Sequence, residues 1–316
     1  MSSSLLLNLA IGDAFGFGRE FAKMDFIGET KGVMEYVQNP ELPDQIPGHY
    51  SDETQMTLAI MEAIVNKTPA NAQALLGALW SAYHRDPRPG YSKGFGGLLK
   101  KTTSPQEFAA QILPHSSHCG CLARSCMFGL MSDMEKAIDR AMWVASLTHA
   151  TRSAMYASGA AAAAVWAMRN KIGRPNLPKF IDDLFPGFNL QTDVGCGKWV
   201  ENDAMAVLKA ALYAVWRPTI DSGEVFGMTG VLTCSVESGG DVDSVAATAM
   251  AIASQVPDDE LIKNLPDNLF LGLENGPYGA LYLADLEEKF CQMVEAPLPD
   301  YGQLEPLRRE ALLKGK

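Results

Sequence analysis

The apolar residues of this chain recur with the period of the α-helix along most of its length. Met56, Ile60, Ala63 and Ile64, for example, fall on one face of a helix. Similar patterns, many rich in alanine, predict helices near residues 71–84, 133–148, 152–169, 199–216 and 243–254. Strand-like alternation is hard to find, and the strand-length run at 32–37 carries no hairpin signal. The sequence therefore predicts an all-α protein.

Segments rich in glycine and proline separate the predicted helices. They lie at residues 39–48, 86–97, 173–178 and 185–197. Although 316 residues are enough for about two domains, none of these loops has the length or low complexity of a flexible linker. We therefore expect a single compact domain over residues 1–316.

The charge balance disfavours one class of partner. The chain has 26 Lys and Arg against 37 Asp and Glu, a formal charge of −11. Binding to the phosphates of nucleic acid needs a basic surface, so nucleic acid is not expected as a bulk partner. The composition leaves the oligomeric state open, and a monomer is favoured.

No segment predicts a membrane span or a secretory signal. The apolar stretch Ser153–Met168 is short for a bilayer crossing and is typical of a buried helix. Leu5–Ile11 has no basic residue before it, unlike a signal peptide. We expect a cytoplasmic protein, with export by a route lacking a classical signal left open. Of the six cysteines, three lie within residues 119–126 and three are scattered, which does not resemble a disulfide framework and favours reduced thiols.

Two short segments place a hydroxyl residue and two carboxylates at the start of a predicted helix. Residues 49–54 read His-Tyr-Ser-Asp-Glu-Thr, and residues 238–244 read Ser-Gly-Gly-Asp-Val-Asp-Ser. Ser and Asp are favoured N-caps because their side-chain oxygens accept amide protons, and acidic residues in the first turn complement the helix dipole. Each segment taken alone is therefore explained by capping.

The second segment favours a role beyond capping. Gly239 and Gly240 let the backbone approach another group closely, which a cap does not require. The next residues offer hard oxygen ligands suited to Mg²⁺, Mn²⁺ or Ca²⁺ rather than zinc, namely Asp241, Asp243 and Ser244. If the acidic residues of the first segment converge on the same point, the four carboxylates must repel one another unless cations neutralise them.

These two segments resemble paired motifs of the ADP-ribosylglycohydrolase family, which includes the glycohydrolase that reactivates dinitrogenase reductase. Ser51-Asp52-Glu53-Thr54 is similar to the family's Thr/Ser-Asp-Asp-Thr, and Gly240-Asp241-Val242-Asp243-Ser244 is similar to Gly-Asp-x-Asp-Thr. Together they point to the family more strongly than either does alone.

Three further motifs follow in the family's order. Gly12-Asp13-Ala14-Phe15-Gly16, followed by Glu20-Phe21, resembles the opening Gly-Asp-x-x-Gly…Glu. Residues 116–129 lie where the family has Gly-Asn-Gly-Ala-Ala-Met-Arg, and Thr148-His149 is similar to its Thr-His. The resemblance extends to about residue 285. Five weak motifs in the right order make it specific.

The resemblance implies an orthogonal helical domain with two Mg²⁺ ions, or Mn²⁺, at the base of a cleft. Such enzymes hydrolyse the bond between the anomeric carbon of ADP-ribose and an acceptor, a reaction that needs an activated water and carboxylates near an oxocarbenium-like transition state. The implied metal ligands are Ser51, Asp52, Glu53, Asp241, Asp243 and Ser244. The implied catalytic carboxylates are Glu20, which matches the family's mobile glutamate, Asp52, Glu53 and Asp241.

The implied substrate-binding residues lie in motifs that match the family's pattern only in part. They are Ser116, Ser117, Cys119, Gly120, His149 and Gly240. The loop keeps Gly120 and Arg124 but lacks the family's Asn, while Glu53 replaces an Asp and Ser51 and Ser244 stand where Thr is usual. We therefore expect an intact metal centre and an unusual acceptor pocket.

The predicted substrate is an ADP-ribosylated protein, with the arginine linkage first and serine second, or a small ADP-ribosyl conjugate. Glu53 and the altered loop keep one alternative open. In it, the protein binds ADP-ribosylated targets, or neutralises an ADP-ribosylating toxin by contact, without turnover.

Two further patterns have alternative interpretations. His115, His118, Cys119 and Cys121 suggest zinc, but the compact spacing lacks a second half of CxxC or HxxxH form. The basic and aromatic loop at 85–97 is either a solvated turn or the lining of a cleft for a diphosphate.

Overall fold

The computed structural model describes residues 4–190, 198–217 and 227–294. Within these ranges the chain forms α-helices and two short 3₁₀ helices, with isolated bridges in place of strands. The α-helices are α1 (Leu5–Phe17), α2 (Met24–Thr30), α3 (Asp52–Val65), α4 (Ala72–Arg85), α5 (Lys93–Lys101), α6 (Pro105–Gln111), α7 (Leu122–Cys126), α8 (Met134–Ser146), α9 (Arg152–Arg169), α10 (Leu177–Leu184), α11 (Ala204–Trp216), α12 (Met228–Val236), α13 (Val242–Ser254), α14 (Asp267–Gly272) and α15 (Ala280–Val294). The 3₁₀ helices are Met127–Leu130 and Arg174–Asn176. The all-α prediction is confirmed.

Most predicted helices begin and end within two residues of the observed ones, but two boundaries were wrong. The helix predicted from residue 199 begins at Ala204, because the Asp203 carboxylate caps it by accepting from the amides of Met205 and Ala206 at 3.0 and 3.1 Å. The loop predicted at 86–97 gives way to α5 at Lys93, where Ser92 acts as the N-cap.

The other predicted loops agree with the structure, with smaller differences at their boundaries. Residues 39–48 are not helical, whereas 173–178 contain the second 3₁₀ helix and the start of α10. Residues 185–190 are not helical, and the rest of that predicted loop, with Cys196, lies outside the described residues.

Helices α1 and α13 pack against each other along the centre of the molecule, and every residue of both is buried. Their backbones approach closely at two glycines one helical turn apart. A Cβ atom on Gly12 would lie 2.3 Å from the Ala246 carbonyl oxygen, and one on Gly16 would lie 2.4 Å from Asp243 Cα. Glycine at these positions thus lets α13 lie directly on α1.

Helix α15 holds the start of α1. Glu287 of α15 accepts hydrogen bonds from the amides of Leu5 and Leu6 at 2.8 and 2.7 Å, and from the Ser4 hydroxyl at 2.5 Å. A carboxylate at this position pairs amide groups that the helix leaves unpaired and complements its dipole.

The alanine-rich segment predicted as a buried helix is α9, which packs on α8. Across the described ranges, no helix is both long and apolar enough to cross a membrane.

We expect Gly12→Ala to lower the free energy of unfolding by about 1–3 kcal/mol, since the new methyl group must displace the α13 backbone. Urea denaturation measures the change. Gly28→Ala is the matched control, because Gly28 also lies in a helix but has open space around its Cα. It should be neutral or stabilising by up to about 1 kcal/mol. Equal effects of the two substitutions would contradict close packing of α1 on α13.

Candidate metal centre

The starts of α3 and α13, almost two hundred residues apart in sequence, lie in contact. The Ser244 hydroxyl donates a hydrogen bond to Glu53 Oε1 at 2.7 Å, and the Ser51 hydroxyl lies 3.4 Å from Asp243 Oδ2. The four side chains are almost completely buried. The two acidic segments therefore form one polar cluster inside an apolar core.

Asp13 of α1 fixes the start of α3. Its carboxylate accepts hydrogen bonds from the Ser51 amide at 3.0 Å, the Thr54 amide at 2.9 Å and the Thr54 hydroxyl at 2.6 Å. Asp13 is fully buried, and burial raises the pKa of its carboxyl although these hydrogen bonds oppose the shift. The sequence gives this residue a place in a motif but no role, and the structure assigns it the positioning of α3.

The start of α13 is built differently from that of α3. Ser51 caps α3 by accepting from the Glu53 amide, whereas the carboxylate of Asp241, at the N-cap position of α13, makes no capping hydrogen bond. Capping therefore explains Ser51 but not Asp241. Gly240 has a φ of +90°, and a Cβ there would lie 2.0 Å from the Val200 carbonyl oxygen, so glycine is required.

Glu20 completes a three-carboxylate group with Asp241 and Asp243. One carboxylate oxygen of each lies within 4.8 Å of the others. The backbone on both sides of the Glu20 side chain is held, because Asn39 Nδ2 donates to the Glu20 carbonyl at 2.9 Å and the Phe21 amide donates to the Gly240 carbonyl at 2.8 Å.

Burial and mutual repulsion together destabilise the charged forms of these carboxylates. Burial, and then the charges of Asp241 and Asp52, raises the pKa of Glu20, while burial followed by Glu20 and Asp241 raises the pKa of Asp243. Burial and Asp52 raise the pKa of Glu53, although its hydrogen bond from Ser244 opposes the shift. Burial, with the charges of Asp13 and Asp241, raises the pKa of Asp52 to about 8.

The donor set fits a hard divalent cation. Asp243 Oδ1 is buried and has no hydrogen-bond partner among the described residues, so an oxygen with full acceptor capacity lies inside the cluster. All the donors are carboxylate or hydroxyl oxygens, which are the ligands that Mg²⁺ and Mn²⁺ prefer. Glu20, Asp241 and Asp243 are close enough together to hold one such ion. A second ion held by Ser51, Asp52 and Glu53 stays a prediction.

Cys119 contacts the carboxylate cluster directly. Its thiol donates a hydrogen bond to Asp241 Oδ2 at 2.9 Å, and its sulfur lies 3.4 Å from the Ser244 hydroxyl oxygen. Burial, with the charges of Asp241 and Glu53, raises the pKa of the thiol, which keeps it protonated as a donor. Sequence reasoning named Cys119 for substrate binding but missed this contact, because only the fold brings residues 119 and 241 together.

The rest of the predicted substrate loop is held by a buried arginine. Arg124 donates to the Gly120 carbonyl and to the Thr148 hydroxyl, whose oxygen lies 2.6 Å from His149 Nδ1. Burial and the charge of Arg124 lower the pKa of His149 to about 3, so the imidazole is neutral at pH 7. Arg124 and Thr148 are therefore positioning residues that the sequence analysis left without a role.

Ser116 and Ser117 lie at the start of the same loop and are partly buried. The Ser116 hydroxyl accepts from the His118 amide at 3.1 Å, and the Ser117 carbonyl accepts from the Ala204 amide at 3.0 Å. These bonds shape the loop, and a contact of either serine with substrate stays a prediction.

The alternative zinc cluster does not assemble. His115 and His118 are exposed, while the Cys121 thiol is buried and donates to the carbonyls of His118 and Ala154. Among the described residues, the candidate metal-ligand group is the one formed by Glu20, Asp241 and Asp243.

The basic and aromatic segment at 85–97, most of which connects α4 to α5, is held by ion pairs. Arg88 pairs with Glu274 and with Asp86, the latter at 2.7 Å, and its guanidinium stacks on the Tyr50 ring at 4.1 Å. With these partners and little exposure, Arg88 is held in place by other side chains, and the lining of a diphosphate cleft by this loop stays a prediction. Gly90, with a φ of +100°, brings the loop against Asp52, since a Cβ there would lie 2.1 Å from Asp52 Oδ1.

We expect the unfolding free energy of the metal-free protein to fall as the pH rises from about 4 to about 8. A carboxyl whose pKa is higher in the folded state stabilises the fold below its unfolded pKa, and this contribution is lost as the pH rises through the folded pKa, about 8 for Asp52. Urea denaturation with a chelator measures the fall, and saturating Mg²⁺ or Mn²⁺ should offset it. Asp243→Asn should flatten the pH dependence, whereas Glu135→Gln, an exposed control on α8, should not. Equal slopes in all three proteins would contradict the repulsion described above.

We expect Cys119→Ala to weaken Mn²⁺ binding by about tenfold, because Asp241 loses the donor that orients its carboxylate. Titration followed by electron paramagnetic resonance measures the affinity. Cys119→Ser keeps a donor and should lose less. Cys126→Ala is the matched control, since Cys126 is also fully buried but lies on α7. Equal loss of affinity in the Cys119 and Cys126 variants would indicate a general packing effect.

Comparisons with known proteins give the family and the fold. The family model of ADP-ribosylglycohydrolase matches residues 4–256. A solved structure titled "ADP-ribosylglycohydrolase-related protein complex" superposes with a TM-score of 0.68 at 19% identity, covering 93% of this chain and 96% of that one. No curated protein matches the chain. Because the family model spans most of the sequence, the chain belongs to the ADP-ribosylglycohydrolase family, whose enzymes hydrolyse glycosyl bonds of ADP-ribose conjugates.

Proposed function

We propose that the protein is a metal-dependent hydrolase that releases ADP-ribose from a modified protein, with arginine-linked ADP-ribose as the first substrate and serine-linked second. The observation that carries this proposal is the buried group of Glu20, Asp241 and Asp243, with an unpartnered carboxylate oxygen on Asp243, in a chain of this family. Mg²⁺ is the expected cation, with two ions bound and Mn²⁺ as an alternative.

The reaction joins the oxygen of water to the anomeric carbon and breaks the bond from that carbon to the acceptor's nitrogen or oxygen. The departing atom takes up a proton, and positive charge develops on the ribose in the transition state. Bound divalent cations would lower the pKa of the attacking water and orient the ribose hydroxyls. The carboxylates beside the ribose would stabilise its developing charge.

The raised pKa values of the carboxylates describe the site without a cation. Asp52, whose pKa is then raised to about 8, is an expected metal ligand, and a bound divalent cation would keep it ionised and able to stabilise positive charge on the ribose. Glu20 also has a raised pKa, lies in the carboxylate group and is more accessible than Asp241 and Asp243. We therefore assign Glu20, which is not among the implied metal ligands, as the candidate for the proton donor.

One feature favours the alternative of binding without turnover. The longer side chain of Glu53 accepts a hydrogen bond from Ser244, so one of its oxygens already has a partner inside the cluster. Glu53→Asp tests the consequence. Higher activity in this variant would mean that the glutamate restrains turnover, and lost activity would mean that the centre has adapted to it.

The test is release of ADP-ribose from proteins mono-ADP-ribosylated on arginine or on serine, followed by chromatography with Mg²⁺, with Mn²⁺ and with a chelator. We expect release that the chelator abolishes, and a loss of at least about 100-fold in Asp241→Asn and in Asp243→Asn, whereas the exposed Glu135→Gln should match the wild type. Tight ADP-ribose binding with no release over the time course would support the binding alternative. Absence of both binding and release would overturn the proposal.

A further inference from the structure

Three large apolar side chains lie exposed beside the carboxylate group. Phe21 is 42% exposed, Met24 50% and Trp199 43%, and the centroids of the two aromatic rings lie 6.1 Å apart at an angle of 46°. We call these three residues the aromatic lip. Exposed apolar patches of this kind commonly mark binding sites.

The backbone that carries the lip is fixed to the metal centre. Phe21 follows Glu20 directly, and its amide donates to the Gly240 carbonyl at 2.8 Å. Trp199 precedes Val200, whose amide donates to the Gly239 carbonyl at 3.1 Å and whose carbonyl accepts from the Asp241 amide at 2.9 Å. Each ring therefore stands next to a segment that positions one of the catalytic carboxylates.

The backbone of the lip adopts an unfavourable conformation at Phe21. Phe21 has a φ of +49°, in the left-handed region that side chains other than glycine rarely adopt. Gly239 has a φ of +66°, and a Cβ there would lie 2.8 Å from the Met24 sulfur and 3.1 Å from the Trp199 ring. Strained conformations persist where the surrounding structure fixes them, and they cluster at ligand sites.

The position of the lip identifies which part of a substrate it can touch. If the proposed function holds, the anomeric carbon lies over Glu20 and Asp241, and the acceptor is bonded directly to that carbon. The adenine is separated from it by the diphosphate and the second ribose. The lip, which adjoins both carboxylates, is therefore suited to contact the acceptor.

Charge and shape narrow the class of acceptor. The segments that carry the lip adjoin Glu20 and Asp241 in a protein with a net charge of −11, a setting that favours a cation. A guanidinium is planar and charged, and it stacks on aromatic faces, whereas the short side chain of serine offers neither a flat surface nor a charge.

We propose that Phe21 and Trp199 form an acceptor subsite that binds the guanidinium plane of ADP-ribosylated arginine and so selects the arginine linkage over the serine linkage. This inference rests on the proposed function. In the reaction, the carbon–nitrogen bond to the guanidino group breaks, and that nitrogen gains the proton that restores an arginine side chain.

The experiment compares kcat/KM for the two linkages in Phe21→Leu and Trp199→Leu, with Phe21→Tyr and Trp199→Phe as controls that keep an aromatic ring. We expect each leucine variant to lose about tenfold on the arginine linkage and less than about twofold on the serine linkage. The ring-keeping variants should retain most of the wild-type preference. Leu113→Ala, at a 76% exposed position in the loop after α6, should have no effect.

A binding measurement separates this inference from the proposed function. Calorimetry of agmatine, which carries a guanidinium, is made on protein saturated with ADP-ribose. Weaker agmatine binding in the leucine variants with unchanged ADP-ribose affinity would support the subsite even if the wild type released no ADP-ribose. An equal loss for both linkages, or weaker ADP-ribose binding, would assign the rings to the nucleotide and overturn the proposal, as would no change at all.

Discussion

The site depends on helix α1, which contacts both acidic segments. On one side, Gly12 and Gly16 admit the backbone of α13, and in the same turns Asp13 binds the start of α3 through the amides of Ser51 and Thr54. Two helix starts far apart in sequence are brought together because each of them packs against the same buried helix, α1. Close backbone packing and one buried carboxylate thus set the geometry of the candidate metal centre.

The repulsion between carboxylates is strongest where the starts of α3 and α13 meet. Glu20, Glu53 and Asp243 all have raised pKa values, and in each case burial is the largest cause and neighbouring carboxylates add to it. A divalent cation is the natural counter-charge for such a group. The same repulsion disfavours the ionised, metal-free state near neutral pH, and a bound cation would remove it.

Sequence patterns predicted the helices well because alanine-rich apolar faces repeat over many turns, and α9 begins and ends where its pattern does. The order of the motifs was enough to identify the family. Contacts that depend on tertiary structure could not be predicted from these patterns. The thiol of Cys119 meets Asp241 only after folding, and Arg88, which a basic loop made a candidate for phosphate binding, is paired with the distant Glu274.

The hydrogen bonds from Ser4, Leu5 and Leu6 to Glu287 have a consequence for where the functional unit ends. The match to the family model stops at residue 256, yet Glu287 of α15 supplies the acceptor for the first amides of the helix that organises the metal centre. A protein shortened to the matched region would keep every candidate metal ligand but would leave α1 without its anchor. The contacts that fix α1 therefore reach past the recognisable family signature, at least as far as α15.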